Sequence, residues 1–136
     1  THWKGKHGHQ VITFLNQMWI IGGTNAGVST NDIWSSSDGI NWTKSNASFT
    51  PRIGHSATVH NERLYVIGGL DNSGKVVNDV WSTTNGKDWI KETDSADFSP
   101  RSEHDCESFG NNLVLVGGQS KYDVWFSPDG KKWTND

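Results

Sequence analysis

Three stretches of the chain carry the same features in the same order, and this repetition limits the folds open to it more than any other property. Glycine pairs fall at Gly22-Gly23, Gly68-Gly69 and Gly117-Gly118, 46 and then 49 residues apart. A tryptophan follows each pair (Trp34, Trp81, Trp125), and a second stands eight residues beyond it (Trp42, Trp89, Trp133). A histidine precedes each pair by thirteen residues: His9, His55 and His104. Together the copies take up nearly all of the 136 residues.

Within a copy the periodicity is that of strands. In the middle one, His55 to Val59 reads as a strand of small residues and Asn61-Glu62 as a turn. Arg63 to Ile67 alternates and ends on Gly68-Gly69. Val80-Trp81 opens a third strand, which turns at Asn85-Gly86 into a fourth carrying Trp89. Asp38-Gly39 and Asp129-Gly130 occupy the same turn, and Asp-Gly and Asn-Gly favour tight hairpins because both residues tolerate positive φ. Only 32% of residues are apolar, yet there are eight Trp and fifteen Gly. That pairing suits short strands, tight turns and large aromatic plugs rather than leucine-lined helices. The spacing predicts an all-β fold with one four-stranded antiparallel meander per copy, over about 7–50, 51–99 and 100–136.

The pattern resembles the kelch repeat: Gly-Gly after the second strand, an aromatic about a dozen residues on, then Trp eight further. Gly68-Gly69, Trp81 and Trp89 carry the match, and the other copies repeat it. The kelch aromatic in the third strand is commonly Tyr, so Trp34, Trp81 and Trp125 are a variation. The resemblance implies a kelch-type β-propeller, three blades per chain, a fold used mostly for binding. Ser36 to Trp42 and Ser127 to Trp133 are also similar to the Asp-box turn of sialidases, but they are one residue short between Asp and Gly and are set aside.

Propellers have about four to eight blades. Three would leave one sheet face bare at each end, and large apolar patches mark association sites. The distance from the second Trp to the next His is 13 and then 15 residues; joining Asp136 to a second copy's Thr1 would make it 12. The repeat is therefore in phase with itself. Two chains related by a two-fold axis would close a six-bladed homodimeric ring, blade 3 of each on blade 1 of the other. The competing expectation, consistent with a start at Thr1 rather than Met, is a fragment of a longer propeller.

Strand order places the tight turns on one face and the longer loops on the other, where binding residues concentrate. The long loops are 24–30, 70–77 and 119–122, with the inter-blade stretches 45–53 and 93–103. Their polar candidates for ligand contact are Asn25, Asp71, Asn72, Lys75, Gln119 and Lys121. A basic residue also stands three before each histidine: Lys6, Arg52 and Arg101. The resemblance implies that Arg52 and Arg101 hold an acidic ligand. The alternative is that they brace the inter-blade loop or pair with Asp94, Asp97 or Glu103. His9, His55 and His104 would ring the channel, where a metal site and bonds to carbonyls of the adjacent blade are both open. The expectation is the carbonyl bond, with no metal and no cofactor. Asp32, Asp79 and Asp123 read as turn caps and the paired tryptophans as blade packing. Cys106 aligns with Val11 and Ala57 and reads as a small buried residue. Trp3 has no counterpart in the other copies and either seals a blade junction or offers a platform for a sugar.

A net charge of -3 without a basic run makes nucleic acid an unexpected partner. No apolar stretch approaches the roughly 20 residues of a membrane span. An oxidase of this propeller type needs tyrosine and histidine ligands with a modified cysteine, and a sialidase needs an arginine cluster; neither set is present. The expected function is a non-enzymatic scaffold binding a protein or peptide, with glycan binding as the alternative.

Overall fold

The computed structural model describes residues 2–136. Its strands are β1 (Gln10–Phe14), β2 (Gln17–Ile21), β3 (Thr24–Asn25), β4 (Val28–Ser29), β5 (Asp32–Ser36), β6 (Thr43–Asn46), β7 (Arg52–Ile53) and β8 (Ser56–His60). They continue with β9 (Arg63–Asp71), β10 (Val76–Thr83), β11 (Ile90–Thr93), β12 (Asp105–Phe109), β13 (Asn112–Val116), β14 (Val124–Ser127) and β15 (Thr134–Asn135). Every pairing is antiparallel. The first sheet runs β1-β2-β5-β6 and the third β12-β13-β14-β15, each a meander in sequence order.

The middle sheet differs from the four-stranded expectation. β9 continues through Gly68-Gly69 to Asp71, so β7 pairs with its far end while β8 pairs with its near end. That gives five strands. The physical reason is the longer hairpin from β9 to β10, closed by Asp71, whose Oδ1 accepts from Ser73 and Lys75 amides. The equivalent connection in the first sheet is interrupted by the small β3-β4 hairpin.

The core lies between sheets rather than within one. Alternation along each strand sends Phe14, Trp19, Ile21 and Ile33 of the first sheet against Ala57, Leu64, Val66 and Trp89 of the second. Tyr65, Ile67 and Val80 from the opposite face of the second sheet meet Cys106, Leu113, Leu115 and Trp133 of the third. Cys106 is buried, as its alignment with Ala57 suggests, and burial pushes its thiol up to about 12.

An aromatic from each connecting segment caps this packing. Phe49 meets Trp81 and Trp89 edge-on, at centroid distances of 6.2 and 5.1 Å, and Phe98 meets Trp125 and Trp133 at 6.4 and 5.1 Å. Trp3 does the same for Trp34 and Trp42, at 5.7 and 5.4 Å. Trp3 therefore has counterparts after all in Phe49 and Phe98, and its half-exposed ring packs among other aromatics.

Among the described residues no second sheet covers the outer face of the first or third sheet, although Trp3 packs on Trp34 at the edge of the first. Val11 and Met18 are exposed on one, and Phe109 and Val116 on the other. The glycines report the same asymmetry. A Cβ on Gly22 would lie 2.8 Å from His55 Cε1, and one on Gly68 2.9 Å from His104 Cε1. At Gly117, the third copy of that position, the nearest atom is the Lys121 carbonyl oxygen at 3.6 Å.

Candidate functional site

The basic residues expected to face a ligand point inward. Arg52 is fully buried and its guanidinium grips Asp79 with two bonds, Nη1 donating to Oδ1 at 2.7 Å and Nη2 to Oδ2 at 2.9 Å. Nη1 also donates to the Gly68 carbonyl and Nε to the Thr50 carbonyl. Arg101 repeats the set on Asp123, Gly117 and Ser99. Each guanidinium lies over the ring of Phe49 or Phe98, at 5.1 and 5.5 Å. With every donor direction engaged, neither arginine has a face left for an acidic ligand. The expectation that Arg52 and Arg101 hold such a ligand is corrected. They brace the inter-repeat segments, with Asp79 and Asp123 as partners instead of Asp94, Asp97 or Glu103.

The aspartates are corrected with them. Asp79 and Asp123 also accept from the indoles of Trp81 and Trp125, at 2.9 and 2.7 Å, so they join clamp to aromatic plug and do not cap a turn. Arg101 holds the Asp123 carboxyl below the usual carboxylate range. In the first repeat the clamp is looser: Lys6 donates to the Thr24 carbonyl at 3.4 Å, while Lys44 pairs with Asp32 at 3.1 Å. Burial lowers the Lys6 pKa, opposed by Asp32.

The histidines join one repeat to the one before. His55 Nε2 donates to the Ile21 carbonyl at 3.0 Å, and His104 bonds the Ile67 carbonyl with Ser56 Oγ 3.0 Å away. Burial, reinforced by the neighbouring arginine, depresses His55 to about 3 and His104 to about 4. Both are neutral wedges inside the molecule and are closed to a ligand, a correction for these two positions. His9, which packs on no preceding repeat among the described residues, is half-buried, and burial lowers its pKa as well.

On the loop side an accessible cavity remains. His7, Ile53 and Ser102 occupy one equivalent position in the three repeats, and they converge with Leu70, Val76 and Gln119 on a cavity of about 400 Å³. Main-chain bonds hold this convergence: Gly54 N donates to the Gly8 carbonyl at 3.1 Å, and Glu103 N to the Gly54 carbonyl at 2.7 Å. Ile53, Leu70 and Val76 supply apolar wall, and Glu103 and Gln119 supply polar groups, with Gln119 Nε2 donating to Glu103 Oε2 at 3.1 Å. Of the loop candidates, Gln119 lines the cavity. Asn72 and Lys75 are exposed on the neighbouring hairpin, Asp71 shapes that hairpin, Lys121 is half-buried beside Gly118, and Asn25 accepts from the Lys4 amide. Ile53, Leu70, Val76 and Glu103 were missed as site residues. The signal for Glu103 was present, because it stands where the other repeats have glycine.

A family model described as the KLHDC2/KLHL20/DRC7 Kelch-repeats domain matches residues 8–136. No curated protein matches the chain closely enough to be counted a relative.

Proposed function

The chain belongs to the kelch-repeat family, and from that premise we propose that it is a non-enzymatic interaction module that takes a peptide segment of a partner protein at the mouth where its repeats converge. Kelch-repeat domains generally mediate protein–protein interaction, and the family is typically non-catalytic. The observation that carries the reading is the cavity bounded by His7, Ile53 and Ser102, one residue from the same position of each repeat. A pocket with apolar walls and a few convergent polar groups suits a side chain of a bound segment. Each repeat is then a propeller blade, and a second copy laid blade 3 to blade 1 completes a six-bladed ring. Its support is the shape of the two bare faces. Val11 and Met18 align with Ala57 and Leu64, which are buried at an internal junction, and Val116 and Phe109 align with Ile67 and His60, buried at the next.

The test is photo-crosslinking from two positions. A photoreactive residue in place of Gln119, on the loop side, is expected to capture a partner protein. The same residue in place of Asn111, in the tight turn on the other side, is not. Adducts from Asn111 alone would move the binding face and overturn the reading.

A further inference from the structure

The third repeat departs from the other two at the mouth of the cavity. The residue immediately before the junction histidine is Gly8 in the first repeat, Gly54 in the second and Glu103 in the third. All three adopt the left-handed backbone, with φ of 66, 65 and 58°. Glycine takes that conformation freely, whereas a residue with a Cβ does so at a cost. The first two positions are also crowded. A Cβ on Gly8 would meet Ile53 Cβ at 2.9 Å, and one on Gly54 would meet Ser102 Cβ at 3.3 Å. In the third repeat the chain accepts the backbone cost and places a carboxylate there. Strained non-glycine residues of this kind cluster where a side chain is needed for function.

The surroundings indicate what that carboxylate receives. Glu103 is the one residue lining the cavity that carries a formal charge at neutral pH. Lys75 and Lys121 lie on the same side but do not line it, and the guanidiniums of Arg52 and Arg101 are turned inward onto aspartates. Gln119 holds Oε2 of Glu103, and Ile53, Leu70 and Val76 form an apolar approach to it. An apolar wall beside an exposed carboxylate matches a side chain with a long aliphatic stem and a cationic head.

We propose that Glu103 is a recognition carboxylate that binds a lysine or arginine side chain of the partner segment. This rests on the reading of the cavity as the peptide site, and it assigns the chemistry of that peptide. The arrangement runs opposite to an arginine-lined mouth for acidic ligands.

The experiment uses single-residue probes on the isotope-labelled protein, followed through the amide signals of Ile53, Glu103 and Gln119. N-acetyl-arginine methylamide and N-acetyl-lysine methylamide are expected to shift these signals in a saturable way. The norleucine analogue, which keeps the stem and lacks the head, should bind about tenfold more weakly, and the glutamate analogue should not bind. Glu103→Gly, which restores the residue of the other repeats, is expected to abolish the saturable shift without lowering the melting temperature. Glu103→Gln should lose the preference for cations. If the norleucine or glutamate probe shifts the same amides as strongly as arginine, the cationic assignment is overturned and the cavity stands as the peptide site. Arginine binding that survives Glu103→Gly overturns the role of Glu103. If no probe moves these amides, both this assignment and the cavity reading fall.

Discussion

Acidification to pH 5 should weaken this fold before any carboxylate is affected, and the two junction histidines set the size of the effect. His55 and His104 are almost fully buried, and each bonds a carbonyl of the preceding repeat. Their values when folded, about 3 and about 4, lie below the ordinary histidine value near 6.5. The unfolded chain therefore binds protons that the native chain refuses, and stability falls as pH drops below about 6.5. The loss continues until the folded groups themselves titrate, near 4 for His104 and near 3 for His55. Between pH 7 and pH 5 each histidine removes about 2 kcal/mol, so the pair removes roughly 4 kcal/mol. His9, also depressed though half-buried, acts in the same direction. Against a domain stability of about 5–15 kcal/mol this is a large fraction. Carboxylates held low, such as Asp123 beneath Arg101, contribute in a separate window below about pH 4. Urea denaturation at half-unit steps from pH 7 to 5 measures the effect, and the His55→Gln/His104→Gln double variant provides the control. That variant should be weaker at pH 7 and nearly flat with pH. A midpoint that does not move in the parent protein, or that moves equally in the double variant, would refute the reasoning.

Two further outcomes follow from the clamps and the junction glycines. Asp79→Ala leaves the fully buried Arg52 guanidinium without a counter-charge and should cost about 3–5 kcal/mol in urea denaturation. Asp123→Ala should cost less, because Asp123 is 36% exposed against 16% for Asp79, so water can replace part of the lost partner. Gly22→Ala drives a methyl group into His55 and should lower the melting temperature more than Gly117→Ala, whose position is open. The same Gly117→Ala protein tests ring closure when its molar mass in solution is compared with that of the parent. A parent species near twice 15.1 kDa that reverts to a single chain in the variant supports the dimer; a parent that runs as a single chain counts against it.

The repeat, and with it the all-β fold, was written into spacing alone. Glycine pairs, tryptophans and histidines at fixed intervals specify strand, turn and plug because those positions place backbone and ring demands on one residue type. The burial of Cys106 and the packing of the paired tryptophans between sheets were legible for the same reason, since alternation along a strand decides which face a residue joins. The roles of Arg52, Arg101, Asp79 and Asp123 were not. A basic residue three before a histidine is equally compatible with a ligand site and a buried clamp. The choice depends on a carboxylate 22 or 27 residues away that only the folded chain brings within 3 Å. Trp3 was misread because its counterparts Phe49 and Phe98 are aromatic without being tryptophan, although all three stand three residues before the basic position. Glu103 lay in plain sight as a break in the repeat. Its left-handed backbone, its hold on Gln119 and the cavity it faces arise only where three chain segments meet. Local spacing determines which elements form, while the meeting of distant segments decides which side chains remain free to act.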